Sequence, residues 1–397
     1  MSKETKRAIF IIIAANFIIC LGWSLVIPVE PFIKSEYHLT AGEMGAMTSL
    51  YALAQFIFSP IVGRISDKMG RAPILTAGLL LYMFSELMFA ASNSLLLFDI
   101  SRSIGGISAD MVGTTSMAMA ADLSSERDRA KVIGWISAAL SGGLIIGPGI
   151  GGVLANISYK TPFWFAGAAG LVAAVIFVVG LPKHIKNQSN GHQVGQVNIT
   201  EKGLKAIMSK VVIILFTMIL ISSFGLAGFE SIYTLYVNQV FKFTLNEISI
   251  TLILNGIFSL ILQVLLFDKL VNFFSEIRLT RICFLISTIG IVWLLFAHSA
   301  IEVIIATLLV FCAFDVLRPA ITTMLTRFGN RNQGLINGLN MSLTSIGNIA
   351  GPIFAGSLMD INPHIPYAIV AGILFVSALI TYVVSHEMKI DKNVKNY

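Results

Sequence analysis

Charge is what this sequence has least of. Asp, Glu, Lys and Arg make up 12% of its residues against 56% hydrophobic, and the mean hydropathy is +0.83. Globular domains carry roughly twice that charged share. A soluble protein of 397 residues is therefore excluded, and the chain reads as an integral membrane protein. Cysteine is nearly absent too. Cys20, Cys283 and Cys312 sit within apolar stretches without CxxC spacing, which excludes a disulfide framework and leaves them as small packing residues. The six His residues are scattered over loops and helix ends, so no zinc or hydrolytic constellation is visible. No metal or cofactor is expected. With no nucleophile, base or metal set in view, a membrane enzyme is the least supported class, and a non-enzymatic role is expected.

What is present is apolar runs long enough to cross a hydrocarbon core of about 30 Å. In the first half they fall near 7–33, 42–64, 73–92, 95–121, 130–157 and 162–181. In the second half they fall near 209–238, 246–270, 279–298, 301–327, 332–359 and 365–386. The expectation is an all-α membrane protein of twelve transmembrane helices. The first run follows Lys3, Lys6 and Arg7, but it is too long for a signal peptide and lacks a small-residue cleavage site before Pro28. It is read as a membrane span. With both termini in the cytoplasm, inner loops and termini hold 22 of the 27 Lys and Arg residues, and outer loops hold Lys34, Lys160 and Lys242. That satisfies the positive-inside rule. The net charge of +6 and pI near 9.2 then report topology, and no nucleic-acid partner is needed.

The second half repeats the first at an offset of 204 residues. Arg127, Gly134, Ser141, Gly143, Ile145, Gly147, Pro148, Gly152, Leu154 and Ile157 recur as Arg331, Gly338, Ser345, Gly347, Ile349, Gly351, Pro352, Gly356, Leu358 and Ile361. Ten identities over 31 positions compare with about two expected from average residue usage. Thr40 and Glu43, and Thr244 and Glu247, share the offset as capping-box spacings before an apolar helix. Two pseudo-symmetric six-helix bundles are expected, over 1–182 and 209–397, joined by a polar cytoplasmic linker over 183–208. Duplicated halves of apolar helices are the organisation of secondary transporters, which bind substrate between the repeats. Transport is the first expectation.

Between the second and third spans runs Gly63-Arg-Ile-Ser-Asp67-Lys-Met-Gly70-Arg71, read as a short turn with glycines at both ends. There Gly63 and Gly70 would bring two helices close. Asp67 would face the positive end of another helix or pair with Arg71. The alternative is a charged turn that only obeys topology. The fourth span holds Arg102-Ser-Ile-Gly-Gly106, a buried Arg followed by glycines. In the fifth, Gly143, Gly147 and Gly151 repeat every four residues, allowing close backbone approach in lipid, and Pro148 suggests a kink. The same letters satisfy GxGxxG from Gly147 to Gly152, but no strand precedes them, so a dinucleotide site is rejected. Together the three signatures resemble those of the major facilitator superfamily, and the fifth-span signature resembles that of the family's antiporters.

Ionisable groups inside spans are costly unless paired, hydrated or used. The candidates are Glu86, Arg102, Asp110, Glu230, Asp315 and Arg318. Asp315 and Arg318 are three apart and share a helix face, as a functional pair or a structural ion pair. The runs Phe224–Tyr236 around Glu230 and Phe311–Ala320 around Asp315 resemble those of the NorA-type multidrug efflux pumps. That resemblance implies that Glu230 and Asp315 are proton-coupling carboxylates facing a central cavity, with Arg318 beside them. Burial disfavours the charged form of a carboxylate, so a proton and a cationic drug can compete for one site. Asp110 falls where the subfamily has a small residue, and is a further proton or cation site or a solvating group of the pore. Glu86 reads as a structural hydrogen-bonding group or a coupling residue.

Aromatic side chains would form the rest of a polyspecific pocket, since ring faces attract cations. Tyr51, Phe229, Phe311 and Phe314 are the candidates, although most of the 27 Phe residues must serve packing or face lipid. Gln55, Ser141 and Asn348 either line the cavity or hydrogen-bond between helices. These features imply a proton-driven exporter of amphiphilic, mostly cationic or zwitterionic drugs, acting as a monomer in a prokaryotic plasma membrane. Its partners would be small amphiphiles, protons and the bilayer. The same scaffold would also serve a narrow exporter of a metabolite, sugar or lipid. From another class, a non-transporting membrane receptor remains.

Overall fold

The structure, a computed structural model, describes residues 3–182, 210–328 and 333–394. The linker expected over 183–208 and the repeat residue Arg331 lie outside the described residues. Hydrocarbon offers no hydrogen-bond partners, so the backbone must satisfy itself, and the apolar runs close into helices. The first half contains α1 (Lys3–Leu25), a 3-10 turn (Ile27–Val29), α2 (Glu30–Glu36), α3 (Ala41–Met69) and α4 (Arg71–Ala91). It continues with α5 (Leu95–Leu123), α6 (Glu126–Ala155) and α7 (Thr161–Gly180). The second half contains α8 (Lys210–Phe241), α9 (Leu245–Ile261), a π turn (Leu262–Leu266) and α10 (Phe267–Phe274). Then follow α11 (Glu276–Leu295), α12 (Ala300–Phe328), α13 (Gln333–Ile361) and α14 (His364–Val394).

Among the described residues, ten helical segments are long and apolar enough to span a membrane, with α1 to α2 and α9 to α10 each counting as one. The other two expected spans are α5 and α13, 29 residues each, which are long enough but more polar. They carry Asp99, Arg102 and Asp110, and Asn337, Asn340 and Asn348 respectively. The protein is thus an all-helical, multi-pass membrane protein. Both capping boxes form as the sequence predicts. The Glu43 carboxylate accepts from the Thr40 amide at 2.7 Å, and that of Glu247 from the Thr244 amide at 2.8 Å.

By packing, the described residues form two units, one of residues 3–182 with 243–256 and one of residues 210–242 with 257–394. In the first, α1 packs on α6 and α7, α4 on α5 and α7, and α3 on α5. Its core is filled by Leu75, Leu79, Val132, Ile136 and Phe177. The first turns of α9 belong here, where Ser249 and Ile253 meet Gly152 and Gly149 of α6. In the second unit α8 packs on α13 and α14, and α11 on α12 and α14, which repeats the first unit's pairs. The counterpart of the α3 and α5 pair runs through the π turn, which rests on α12.

The repeated glycines make the closest of these contacts. A Cβ on Gly143 would lie 2.7 Å from the Leu21 amide nitrogen and 2.9 Å from the Phe17 carbonyl oxygen. On Gly147 it would lie 2.9 Å from the Leu21 carbonyl oxygen, and on Gly151 it would strike the Leu25 carbonyl. In the second unit a Cβ on Gly347 or Gly351 would come within 2.7 Å of Phe224 backbone atoms. No side chain fits there, so glycine sets the helix spacing. The Ser24 hydroxyl uses the proximity to donate to the Gly143 carbonyl at 2.9 Å. α6 runs unbroken through Pro148.

The turn after the second span corrects the sequence reading. α3 continues to Met69, so Gly63 lies within the helix, and a Cβ there would meet open space. Gly70 alone makes the turn, at φ 95° and ψ 153°. The corresponding turn of the second unit places Ser275 at φ 63° and ψ 153°, a conformation that essentially only glycine adopts without strain. Ser275→Gly should therefore stabilise the protein by about 1 kcal/mol, a rise of ~2 °C in its detergent unfolding temperature. An unchanged or lower temperature would mean that Ser275 carries no strain.

Candidate functional site

Arg102 is held from three sides. On its own helix, the Ser101 hydroxyl donates to the Ser85 carbonyl at 2.9 Å, and Ser85 returns the bond to the Ser101 carbonyl at 2.9 Å. This locks α5 to α4. Gly105 and Gly106 let α5 press against Tyr51 of α3, where a Cβ on Gly106 would strike the Tyr51 carbonyl. The guanidinium then reaches Glu86, which is 1% exposed, with Nη2 at 3.1 and 3.2 Å from the two carboxylate oxygens. Its Cζ lies over the Phe89 ring at 4.6 Å, and Phe89 stacks on Phe163 at 4.2 Å. A buried charge is tolerable only when paired in this way. Glu86 is therefore the counter-ion of Arg102.

Asp110, two turns further along α5, is 5% exposed. One carboxylate oxygen accepts from the Thr114 hydroxyl at 2.8 Å, and the Ser59 hydroxyl of α3 also faces the group. Its Oδ2 is buried without a hydrogen bond.

At the α3 to α4 turn, Arg71 is 7% exposed and gathers three helices. Its Nη1 lies 2.6 Å from Asp67 and donates to the Ser66 hydroxyl at 2.6 Å. Its Nε donates to Asp122 at the end of α5 at 3.1 Å. Of the two partners the sequence left open for Asp67, the structure takes Arg71. Asp122 escaped the sequence reading because its relation to Arg71 spans 51 residues and follows no local spacing.

In the second unit, Glu230 of α8 is exposed, while Asp315 and Arg318 of α12 are half-buried. Both α12 groups lie near enough to act electrostatically on Glu230. The Ser259 hydroxyl faces Asp315, a contact hidden from the sequence because α9 becomes a neighbour only on folding. Among the described residues, neither carboxylate closes an ion pair with Arg318 within 4 Å. The structure thus brings together the three groups the sequence singled out and leaves them unclamped.

The aromatic candidates are placed differently from the expectation. Phe229 and Phe314 are 0% exposed and Phe311 5%, all within the second unit's core. Phe311 meets Phe229 edge-on at 5.2 Å, and Tyr367 lies 5.0 Å from Phe229 with its hydroxyl donating to the Phe229 carbonyl at 3.3 Å. Edge contacts between large rings stabilise such a cluster. It anchors α8 through Phe229, while Glu230, the next residue and about 100° round the helix, is exposed. Tyr51, Ser141 and Asn348 are half-buried and Gln55 is exposed.

A second acidic residue, after Asp122, escaped the sequence reading. Glu30 follows the 3-10 turn that separates α1 from α2, between Pro28 and Pro31. It lines a small pocket of about 40 Å³ together with Arg102, Thr48, Met44, Phe89 and Phe163. The signal was an acid inside the expected span 7–33, masked by its nearness to the outer loop.

Comparison with known proteins places this geometry in a family. The sequence matches the Major Facilitator Superfamily over residues 12–326 and 245–395. It is 40% identical over 365 residues to Multidrug resistance protein 1 of Bacillus subtilis (strain 168), covering 92% of this chain and 93% of that one. It is 35% identical over 378 residues to Quinolone resistance protein NorA of Staphylococcus aureus, covering 95% and 96%. The fold is similar to that of the nucleoside transporter NupG, with a TM-score of 0.82 over 96% of this chain and 99% of that one at 12% identity. That likeness concerns the fold alone. The repeated glycine contacts, the Asp67 to Arg71 turn and the intramembrane charges belong to one scaffold, and the chain is a member of the Major Facilitator Superfamily, in its multidrug efflux family.

Proposed function

We propose that this protein is a proton-coupled antiporter that exports amphiphilic, mostly cationic or zwitterionic drugs by alternating access. The observation that carries the reading is the unclamped trio of Glu230, Asp315 and Arg318. A carboxylate in a membrane helix that is neither ion-paired nor covered by its own unit is free to hold a proton or a cation in turn. Names of the relatives support the substrate class, since one is a multidrug and one a quinolone resistance protein.

In the proposed cycle, two halves, 1–182 and 209–397 joined by the linker 183–208, alternate access to the substrate. A drug entering from the cytoplasm displaces protons from Glu230 and Asp315. The Asp67 and Arg71 turn, tied to Asp122, closes the cytoplasmic side and opens in the other state. External protons then reload the carboxylates and release the drug. Asp110 offers a further proton or cation site, and Tyr51, Gln55, Ser141 and Asn348 offer polar and aromatic contacts. Phe229, Phe311 and Phe314 act from beneath, by fixing α8 and α12. The positive-inside pattern supports cytoplasmic termini in a prokaryotic plasma membrane, and the protein works as a monomer.

Two outcomes follow. Proteoliposomes with an acid interior should accumulate ethidium through wild-type protein, with loss on adding a protonophore. Glu230→Gln should cut the rate at least about tenfold, the scale on which one catalytic proton transfer counts, and Asp315→Asn should act in the same direction. Wild-type accumulation by Glu230→Gln would sink the assignment. Absence of any cationic dye uptake by folded wild-type protein would favour a narrow metabolite or lipid exporter instead. Separately, Glu86→Gln leaves Arg102 buried without its counter-ion and should cost about 3–5 kcal/mol, read as a lower unfolding temperature in detergent. Replacing Glu86 and Arg102 together by Leu should recover much of that loss. A double variant no better than the single one would show that the pair is not what Glu86 serves.

A further inference from the structure

We propose that Glu30 is a second proton-binding carboxylate, built into the first unit across a small pocket from Arg102. The inference rests on the proton-coupled reading above and adds a site to it.

The backbone comes first. Pro28 and Pro31 break the first span into α1, a 3-10 turn and α2, and Glu30 opens α2 at that break. Interrupted helices in transporters mark ion and substrate sites, because their ends expose polar groups within the membrane. The pocket of about 40 Å³ that Glu30 lines with Arg102 exceeds the ~15 Å³ needed for a water molecule, and Thr48 supplies a hydroxyl. Water can therefore carry a proton to and from the Glu30 carboxylate.

The second observation is the state of Arg102. Only Nη2 bonds Glu86, while Nε is buried without a hydrogen bond. The guanidinium carbon lies 4.6 Å from the Phe89 ring centroid, and the unbonded Nε leaves donor capacity beside a pocket that holds a second carboxylate. One positive charge faces two negative ones. Within this trio the charges balance when one of the two acids is protonated, and Glu86, with both carboxylate oxygens bonded to Arg102 Nη2, is the one that stays charged. Glu30 takes the proton from water onto a carboxylate oxygen and later returns it to water. No bond to carbon changes and no electrons are exchanged.

The other ionisable groups around the cluster are Tyr51 of α3 and Tyr82 of α4, each close enough to feel Arg102 and Glu86, and Cys20 of α1, which lies near both tyrosines. Lys34 follows on α2. Lys160 is held elsewhere, donating to Asn93 Oδ1 at 2.7 Å. None of the three neutral groups matches a carboxylate as a proton acceptor at neutral pH.

The test is the number of protons exchanged per ethidium in proteoliposomes, found from the pH gradient that just balances a set ethidium gradient. Glu30→Gln should lower that ratio by one relative to wild type, and Glu30→Asp should restore it. Met47→Phe, which fills the pocket and keeps Glu30, should also lower it, so the test survives if one variant fails to fold. A wild-type ratio in folded Glu30→Gln and Met47→Phe would overturn the proposal. Absence of any proton dependence in wild type would instead overturn the parent reading.

Discussion

Inside a bilayer two helices gain little by hiding apolar side chains from each other, because lipid is as apolar as leucine. Attraction has to come from close backbone approach, and the molecule depends on that constraint. Gly143, Gly147 and Gly151 bring α6 onto α1, and Gly347 and Gly351 bring α13 onto α8. The α1 backbone is near enough for the Ser24 hydroxyl to reach the Gly143 carbonyl. With α1 fixed this way, the break at Ile27–Val29 and the acid behind it occupy a defined place against α5.

The second constraint is the cost of charge in a low-dielectric medium. The first unit meets it by closure. Arg102 is paired with Glu86, and Arg71 is shared among Asp67, Ser66 and Asp122. The second unit leaves Glu230, Asp315 and Arg318 unbridged within the described residues. Uncompensated groups of this kind are costly to keep. Their presence in otherwise apolar helices, with no ion pair among the described residues to offset them, is what makes function the better explanation.

Much of this was legible in the sequence, and the division has physical causes. The duplication, the capping boxes and the glycine spacing are local patterns with fixed periods, so they survive translation into structure unchanged. The ionisable residues stand out because an apolar background makes each one conspicuous. Burial of Phe229, Phe311 and Phe314 was not legible, since a phenylalanine in a membrane helix is equally at home facing lipid, cavity or core. Gly63 misled because the chain continues helical past it, and only the φ of Gly70 reveals where the turn falls. Glu30 was missed because it lies near the outer end of the first span, close to the loop.

The two units show how a duplication diverges under these constraints. Paired helices and capping boxes recur, since they depend on backbone geometry that any change would disrupt. The third-span turn recurs in shape but not in sequence, Gly70 being matched by Ser275 at nearly the same ψ. Along the preceding span the copies part company. α3 is a regular helix ending in an Arg-centred network, whereas its counterpart passes through a π turn that rests on α12, the helix carrying Asp315. A π turn adds a residue to the helical circuit and shifts every side chain after it relative to those before. Ser259 lies just before this shift and faces Asp315, so the irregular backbone and the open carboxylate occupy the same region of the unit. Backbone symmetry is kept where it holds the helices together, and it is given up beside the groups proposed to change their state.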